Sequence, residues 1–442
     1  MSSSAHRRGL AIVLGVVFLD LLGFGIIIPI LPFYTRSFPG GTEFVIGLLA
    51  ASYSAMQFVF APLLGSLSDR VGRRPVLVLS LCGSVVAWTV FGLATALWLL
   101  FAARMVAGAM GGNLSTAQAY VADVTPPERR AAALGYIGAA FGLGFIFGPG
   151  IGAVLSFDAT IAAVDSVAPA AIPITRFSLP SFAAAFFSLL GVAVAALFLP
   201  ESRPRTADTD TDGTARPSAI SQLRAAVGTA GLRELLASFF LVSFAFSGVQ
   251  IMFIPYVADI YGYTAAQSAI LLTYVGVLAV VTQGVLVGRL TDRYGPISLS
   301  IAGTVVLAVA VGALPFSRGL GRALPDLTAL APFLTPELLG LLAILTFLPV
   351  GNGILSVTLT ALVSRRASAD LQGSAFGITQ GAGSLARTVG PLVMGGLYAV
   401  VGYWSPFVVG SLLLLPVLLL VARLGSAEPP VEPQPADPGH VR

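Results

Sequence analysis

The stretch GSLSDRVGRRP, from Gly65 to Pro75, lies between two long apolar runs and joins glycines, one carboxylate and three arginines in eleven residues. Its glycines permit a tight reversal, Asp69 can accept hydrogen bonds from backbone or guanidinium donors, and Arg70, Arg73 and Arg74 resist entry into lipid. The pattern recurs: Gly65, Asp69, Arg70 and Gly72 reappear as Gly288, Asp292, Arg293 and Gly295, each shifted by 223 positions. A second set, Glu128, Gly135, Gly148 and Pro149, reappears as Asp370, Gly377, Gly390 and Pro391, each shifted by 242. The chain is therefore read as two copies of one unit, arranged as parallel repeats with a site between them.

Composition fixes the medium. Of 442 residues 56% are hydrophobic and 10% charged, against roughly 25% charged in soluble domains; the mean hydropathy is +0.91. Apolar runs of about 20 residues, enough to span a bilayer, predict twelve helices. The first six are expected at 10–33, 44–66, 75–95, 98–122, 131–156 and 180–199, and the second six at 234–258, 266–289, 297–315, 337–362, 372–400 and 403–423. The fold class is an all-α membrane protein of two six-helix bundles, 1–199 and 234–423. A linker, 200–233, joins them and a disordered tail, 424–442, follows. The linker is polar enough for disorder, and its end, Ile220 to Leu232, carries a weak signal for a helix on the membrane surface. All 24 basic residues are arginines. With twelve spans, eighteen lie on the side of the termini and four in the opposite loops, so both termini are expected in the cytoplasm of a cell whose plasma or inner membrane holds the chain.

These motifs resemble the major facilitator superfamily, and specifically its twelve-helix drug/proton antiporters. The repeated loop is similar to the superfamily's signature, LFAARMVAGAMGGN (Leu100 to Asn113) to its helix 4 motif, and GLGFIFGPGIG (Gly142 to Gly152) to its antiporter motif. From Tyr53 through Gly152 the chain looks most like the tetracycline/proton antiporters. Those exporters carry an aspartate midway along helix 3, where this chain has Ala87. The resemblance implies gating by the two repeated loops and an antiporter segment, Gly144, Gly148, Pro149 and Gly152, that seals the bundles and biases transport toward export. Read from the residues alone, glycines at four-residue spacing let helix backbones approach closely, and Pro149 kinks the helix.

Charges at membrane depth cost several kcal/mol and mark function by default. Asp20 in helix 1, Arg104 in helix 4 and Arg387 in helix 11 stand out, and form the expected proton-coupling set. Asp20 is the carboxylate suited to bind and release the proton, with an arginine favouring its charged form when close; which arginine approaches it is left open. Asp123 and Asp259 sit at helix ends and are read as boundary residues. On helix 4, a continuous 100° turn per residue places Arg104, Gly108, Ser115 and Gln118 on one face and Asn113 on the other. Tyr53, Gln57, Gln118, Gln250, Phe253, Asn352 and Gln380 are the polar and aromatic candidates for a substrate cavity.

The chain contains no lysine, so a GxxxxGK[ST] nucleotide loop is impossible. No metal-ligand cluster or nucleophile triad appears, no cofactor is implied, and the net charge of +4 is too small to argue for nucleic acid. The expectation is a monomeric transporter in the lipid bilayer, not an enzyme, exporting a small lipophilic or amphiphilic compound in exchange for protons. The alternatives are an exporter or flippase of an endogenous lipid, sugar or metabolite without proton coupling, and a receptor that has kept the fold.

Overall fold

A computed structural model describes residues 3–126, 129–202, 232–366 and 372–426, except the side chains of a few residues, Asp292 among them. The expected surface helix before Leu232, most of the linker, the tail, Glu128 and Asp370 lie outside the described residues. Among the described residues the regular structure is helical, and eleven helices are long and apolar enough to cross a membrane. They are α1 (Ser3–Ile27), α2 (Glu43–Val71), α3 (Arg73–Gly92), α4 (Leu97–Val124), α5 (Arg130–Leu155), α6 (Ser178–Phe198), α7 (Leu232–Tyr261), α8 (Ala265–Thr291), α9 (Pro296–Ala313), α10 (Pro336–Arg366) and α12 (Ser405–Ser426). Between the last two lies α11 (Gln372–Val400), a 29-residue helix that is rich in glycine in its first half and carries Gln380 and, at its middle, Arg387.

The repeated motif is helical for most of its length, which corrects the expectation of a loop starting at residue 67. Helix α2 runs through Asp69 and Arg70 and stops at Gly72, whose φ of +104° no side chain tolerates well. Gly295, at φ +76°, ends the equivalent helical segment Val287–Tyr294 in the second half. The repeat thus conserves a stop. Helix α3 starts at once after Gly72, and its first amides are capped from afar: Glu201 accepts from the Arg73 nitrogen at 2.9 Å and the Arg74 nitrogen at 3.1 Å. A carboxylate at a helix N-terminus satisfies orphan donors and complements the helix dipole.

Two local irregularities separate the real helices from the regular spans expected of them. Helix α4 breaks at Gly111–Gly112, ending one segment at Gly111 and starting the next at Asn113. Helix α8 contains a π-turn from Thr282 to Leu286, beside Gly353 of α10. Such bulges re-aim the side chains that follow them.

The antiporter segment presents its two faces to different bundles. Gly144, Gly148 and Gly152 all face α1 of the same bundle; a Cβ on Gly148 would lie 2.6 Å from the Gly25 Cα. The opposite face of α5 meets the second bundle instead, where a Cβ on Gly276 of α8 would lie 3.2 Å from the Phe145 carbonyl. The glycine spacing therefore assembles the first bundle, and intervening residues make the contact across the interface. The other crossing joins α2 to α11, where a Cβ on Gly395 would lie 2.6 Å from the Glu43 carbonyl.

Gly148→Val is expected to destabilise the protein by about 1–3 kcal/mol through overpacking against α1, read as a lowered midpoint of thermal unfolding in detergent. An unchanged midpoint would show that α1 and α5 do not need this approach.

Candidate functional site

The break in α4 places the first polar cluster. Directly after Gly111–Gly112, Asn113 meets α1, and its Nδ2 donates to Asp20 Oδ2 at 3.1 Å. Ser84 of α3 donates its hydroxyl to Asp20 Oδ1 at 3.3 Å. Both donors are neutral. This corrects the sequence reading of Asn113 as turned away from the functional face: that face of α4 is the one that meets Asp20. Gln118, expected beside Arg104, is exposed. Neither arginine pairs with Asp20, which answers the question of its partner for this conformation.

Arg104 makes a second kind of arrangement. It is only 4% exposed, its Nε is sealed without an acceptor, and no ion pair reaches it among the described residues. Its guanidinium carbon lies 4.5 Å from the ring centre of Tyr53 and 5.7 Å from that of Phe24. Cation–π contacts supply about 0.5–2 kcal/mol each, whereas a buried ion costs several kcal/mol. The rings alone do not compensate the charge. Tyr53 is held there by glycines of α4: a Cβ on Gly108 would strike its backbone, and one on Gly111 would lie 2.6 Å from its hydroxyl. Gln57, one turn on, donates to the Gly111 carbonyl at 3.0 Å.

Tyr53 connects the charges, since Asp20, Arg104 and Arg387 all act on it electrostatically. Arg387 stands on α11 of the other bundle, is exposed, and donates to Ser384 Oγ at 3.0 Å. The structure therefore brings together Asp20, Tyr53, Gln57, Arg104 and Arg387, and adds Ser84, Asn113 and Phe24. Of the remaining cavity candidates, Gln250 and Asn352 are half-buried and Gln380 is exposed. Phe253 is 4% exposed and packs in the apolar core of the second bundle, which corrects its assignment to a cavity wall. A β-carbon count along α7 could not separate the core face from the cavity face.

The loop motif near the termini is satisfied within its own bundle. Arg73 pairs with Asp69 at 2.8 Å and with Asp123 at 3.0 Å, and donates to Ser68 Oγ at 2.6 Å. Arg74 donates to the Ala196 carbonyl. Arg70 and Arg293 are exposed, Arg293 lying 5.4 Å from the Tyr294 ring centre. Asp123 is thus a partner of the motif rather than a bare boundary residue.

Asp259 departs further from that reading, because it latches the two bundles on the side opposite the termini. Arg36 grips it bidentately, both N···O distances being 2.8 Å, and also pairs with Glu43 at 2.7 Å. Tyr398 of α11 donates its hydroxyl to Asp259 Oδ2 at 2.6 Å. Burial disfavours the charge on Arg36, but its bonds to Asp259 and Glu43 more than reverse this and raise its pKa above the ordinary value. The guanidinium stays cationic throughout the working pH range. In sequence, Arg36 and Asp259 stand 223 residues apart, and nothing local announces their pairing.

Comparison with known proteins follows the same lines. Residues 13–387 match the family described as Major Facilitator Superfamily. The tetracycline resistance protein of class C from Escherichia coli is 29% identical over 94% of this chain and 97% of its own. Class E from Escherichia coli is 31% identical over 89% of this chain and 88% of its own. Among solved structures, a bacterial homologue of the human lysosomal transporter Spinster, inward-facing and occupied, superposes with a TM-score of 0.72 at 15% identity, covering 96% of each chain.

Asp259→Asn is expected to weaken closure at the latch by about 1 kcal/mol, roughly a fivefold shift in population. Spin labels on the α2 and α7 ends beside the latch would report it as a new longer distance. An unchanged distance distribution would mean that packing between α2 and α11, not the latch, keeps this side shut.

Proposed function

The chain belongs to the major facilitator superfamily, and we propose that within it this protein exports a small lipophilic or amphiphilic compound in exchange for protons by alternating access. The observation that carries the proposal is Asp20, a carboxylate deep in α1 held by two neutral donors, Asn113 and Ser84, and by no cation. A carboxyl so placed can be emptied and refilled without breaking an ion pair. Arg104 and Arg387, both within electrostatic reach of Tyr53, bias its charge as the bundles rock, and the Arg36–Asp259 latch closes one face while the other opens.

Both relatives are named for tetracycline resistance. Where the resemblance expects an aspartate in α3, Ala87 is 1% exposed in an apolar cluster with Phe91, Leu49 and Ala103. The chain does not supply that charge, so the substrate is proposed to be a compound other than tetracycline. The orientation proposed is with both termini cytoplasmic, in the plasma or inner membrane, and the working unit is a monomer. One exchanged proton supplies about 1.4 kcal/mol per pH unit, with about 2.3 kcal/mol per 100 mV for each net charge moved. A single carboxylate thus sustains roughly tenfold accumulation per pH unit.

Transport into everted vesicles tests this with Asp20→Asn. The variant is expected to lose uphill accumulation under a pH gradient while keeping substrate counterflow. Retained uphill accumulation would remove Asp20 from proton coupling.

A further inference from the structure

Helix α8 carries one residue more than its counterpart in the first bundle. Thr42 and Thr264 cap the starts of α2 and α8 and stand 222 positions apart, whereas Gly65 and Gly288 of the repeated motif stand 223 apart. The π-turn from Thr282 to Leu286 takes up the extra residue, because an i→i+5 bond closes its turn with one residue more than an α-turn. Gly353 of α10 leaves room for it: a Cβ there would lie 3.1 Å from Gln283 Cγ and 3.3 Å from Thr282 Cγ2. The turn is thus seated in its own bundle and moves with it.

The π-turn changes what the end of α8 faces. In a straight α-helix Val287 would lie about 20° from the line of Val280, and Gly288 about 80° from it. The wider turn sets later residues back by about 100°. Val287 is accordingly buried in its own bundle, clustered with Leu299 of α9 and Ile354 of α10, and Gly288 comes onto the line of Val280. That line is the one that meets α5. A Cβ on Gly150 would lie 3.4 Å from the Thr273 hydroxyl, one on Gly276 3.1 Å from Ile146 Cγ1, and one on Gly142 3.3 Å from Val280 Cγ2. Three or four residues forward on α8 thus match four backward on α5. Toward the termini the two helices part. The next positions in this register, Gly138 and Gly135 on α5 and Gly284 and Gly288 on α8, are exposed, and a Cβ on any of them would meet nothing within 4 Å.

We infer that when the passage closes on the side of the termini, α5 and α8 continue this register, Gly138 against Gly284 and Gly135 against Gly288, and that the π-turn brings Gly288 rather than Val287 to the contact. The rocking itself is that of the proposed transport cycle, on which this closure rests. The partner of each open face follows from continuity, because the new contact extends a crossing already made at Gly142 and Val280. Glycine against glycine lets the backbones approach closely. The passage therefore shuts by helix contact, and no side chain has to move out of the seam.

Disulfide trapping of the full chain in nanodiscs tests this in a Cys82→Ser background, since Cys82 is the one cysteine of the sequence. Gly135→Cys with Gly288→Cys places side chains where this conformation leaves open space, and a disulfide needs Cα atoms about 4.4–6.8 Å apart. Under copper phenanthroline this pair is expected to lose its free thiols at least about tenfold faster than Gly135→Cys with Val287→Cys, because one residue turns a side chain by about 100°. Adding Gly138→Leu should slow the first pair several-fold by standing in the seam. It should leave the midpoint of thermal unfolding unchanged, because its Cβ meets nothing within 4 Å in this conformation. Equal rates for the two pairs, a faster Val287→Cys pair, or a rate that Gly138→Leu leaves unslowed would overturn the register while alternating access stands. Free thiols retained by both pairs would show that the two helices never meet at this end, and would overturn the register and the rocking together.

Discussion

An ionised side chain inside an apolar helix bundle must be compensated or kept neutral, and the arrangement of this protein follows from how each charge meets that demand. Asp20 receives two neutral hydrogen bonds. Arg104 has aromatic faces. Arg36, at the rim, has two carboxylates. These three solutions differ in reversibility. A carboxyl with neutral donors can change protonation without disrupting its surroundings, whereas the bidentate Arg36 pair opens only when the bundles separate. Depth and partner thus sort the charges into one held by neutral donors, one covered by aromatic rings and one held in an ion-paired latch.

The backbone sets these partners through small residues. Directly after Gly111–Gly112, Asn113 meets Asp20, and the same turn of α4 makes room for Tyr53 over Arg104. Glycines of α5 bring α1 close enough for Asp20 to meet α3 and α4, since Gly148 lies against Gly25, five residues on. A change in helix packing therefore reaches Asp20 and the Arg104 guanidinium together. That linkage is what alternating access requires, because an equilibrium moves only when ligands differ in affinity for its two states.

Much of this was legible in the sequence, and the rest was hidden for physical reasons. The spans, the two-bundle repeat and the family followed from apolar runs and from the recurring glycines and aspartates, features that hydropathy and spacing record directly. Asp20, Arg104 and Arg387 were legible because charge at membrane depth is costly wherever it occurs. Asn113 was misplaced because a 100° count along one helix does not say which of its faces meets Asp20 of α1. Phe253 was misplaced because an apolar helix face gives no clue to core or cavity. The pairing of Arg36 with Asp259 and the capping by Glu201 are long-range contacts, and only tertiary structure brings their partners together.

The central claim is that substrate and proton compete through Asp20. Proton release on substrate binding, measured in weakly buffered detergent solution with a pH indicator, tests it without a membrane or a gradient. The account predicts about one proton released per bound substrate by the wild type and none by Asp20→Asn, as linkage between the two ligands requires. Substrate binding with no proton signal, or an equal signal from the variant, would contradict it.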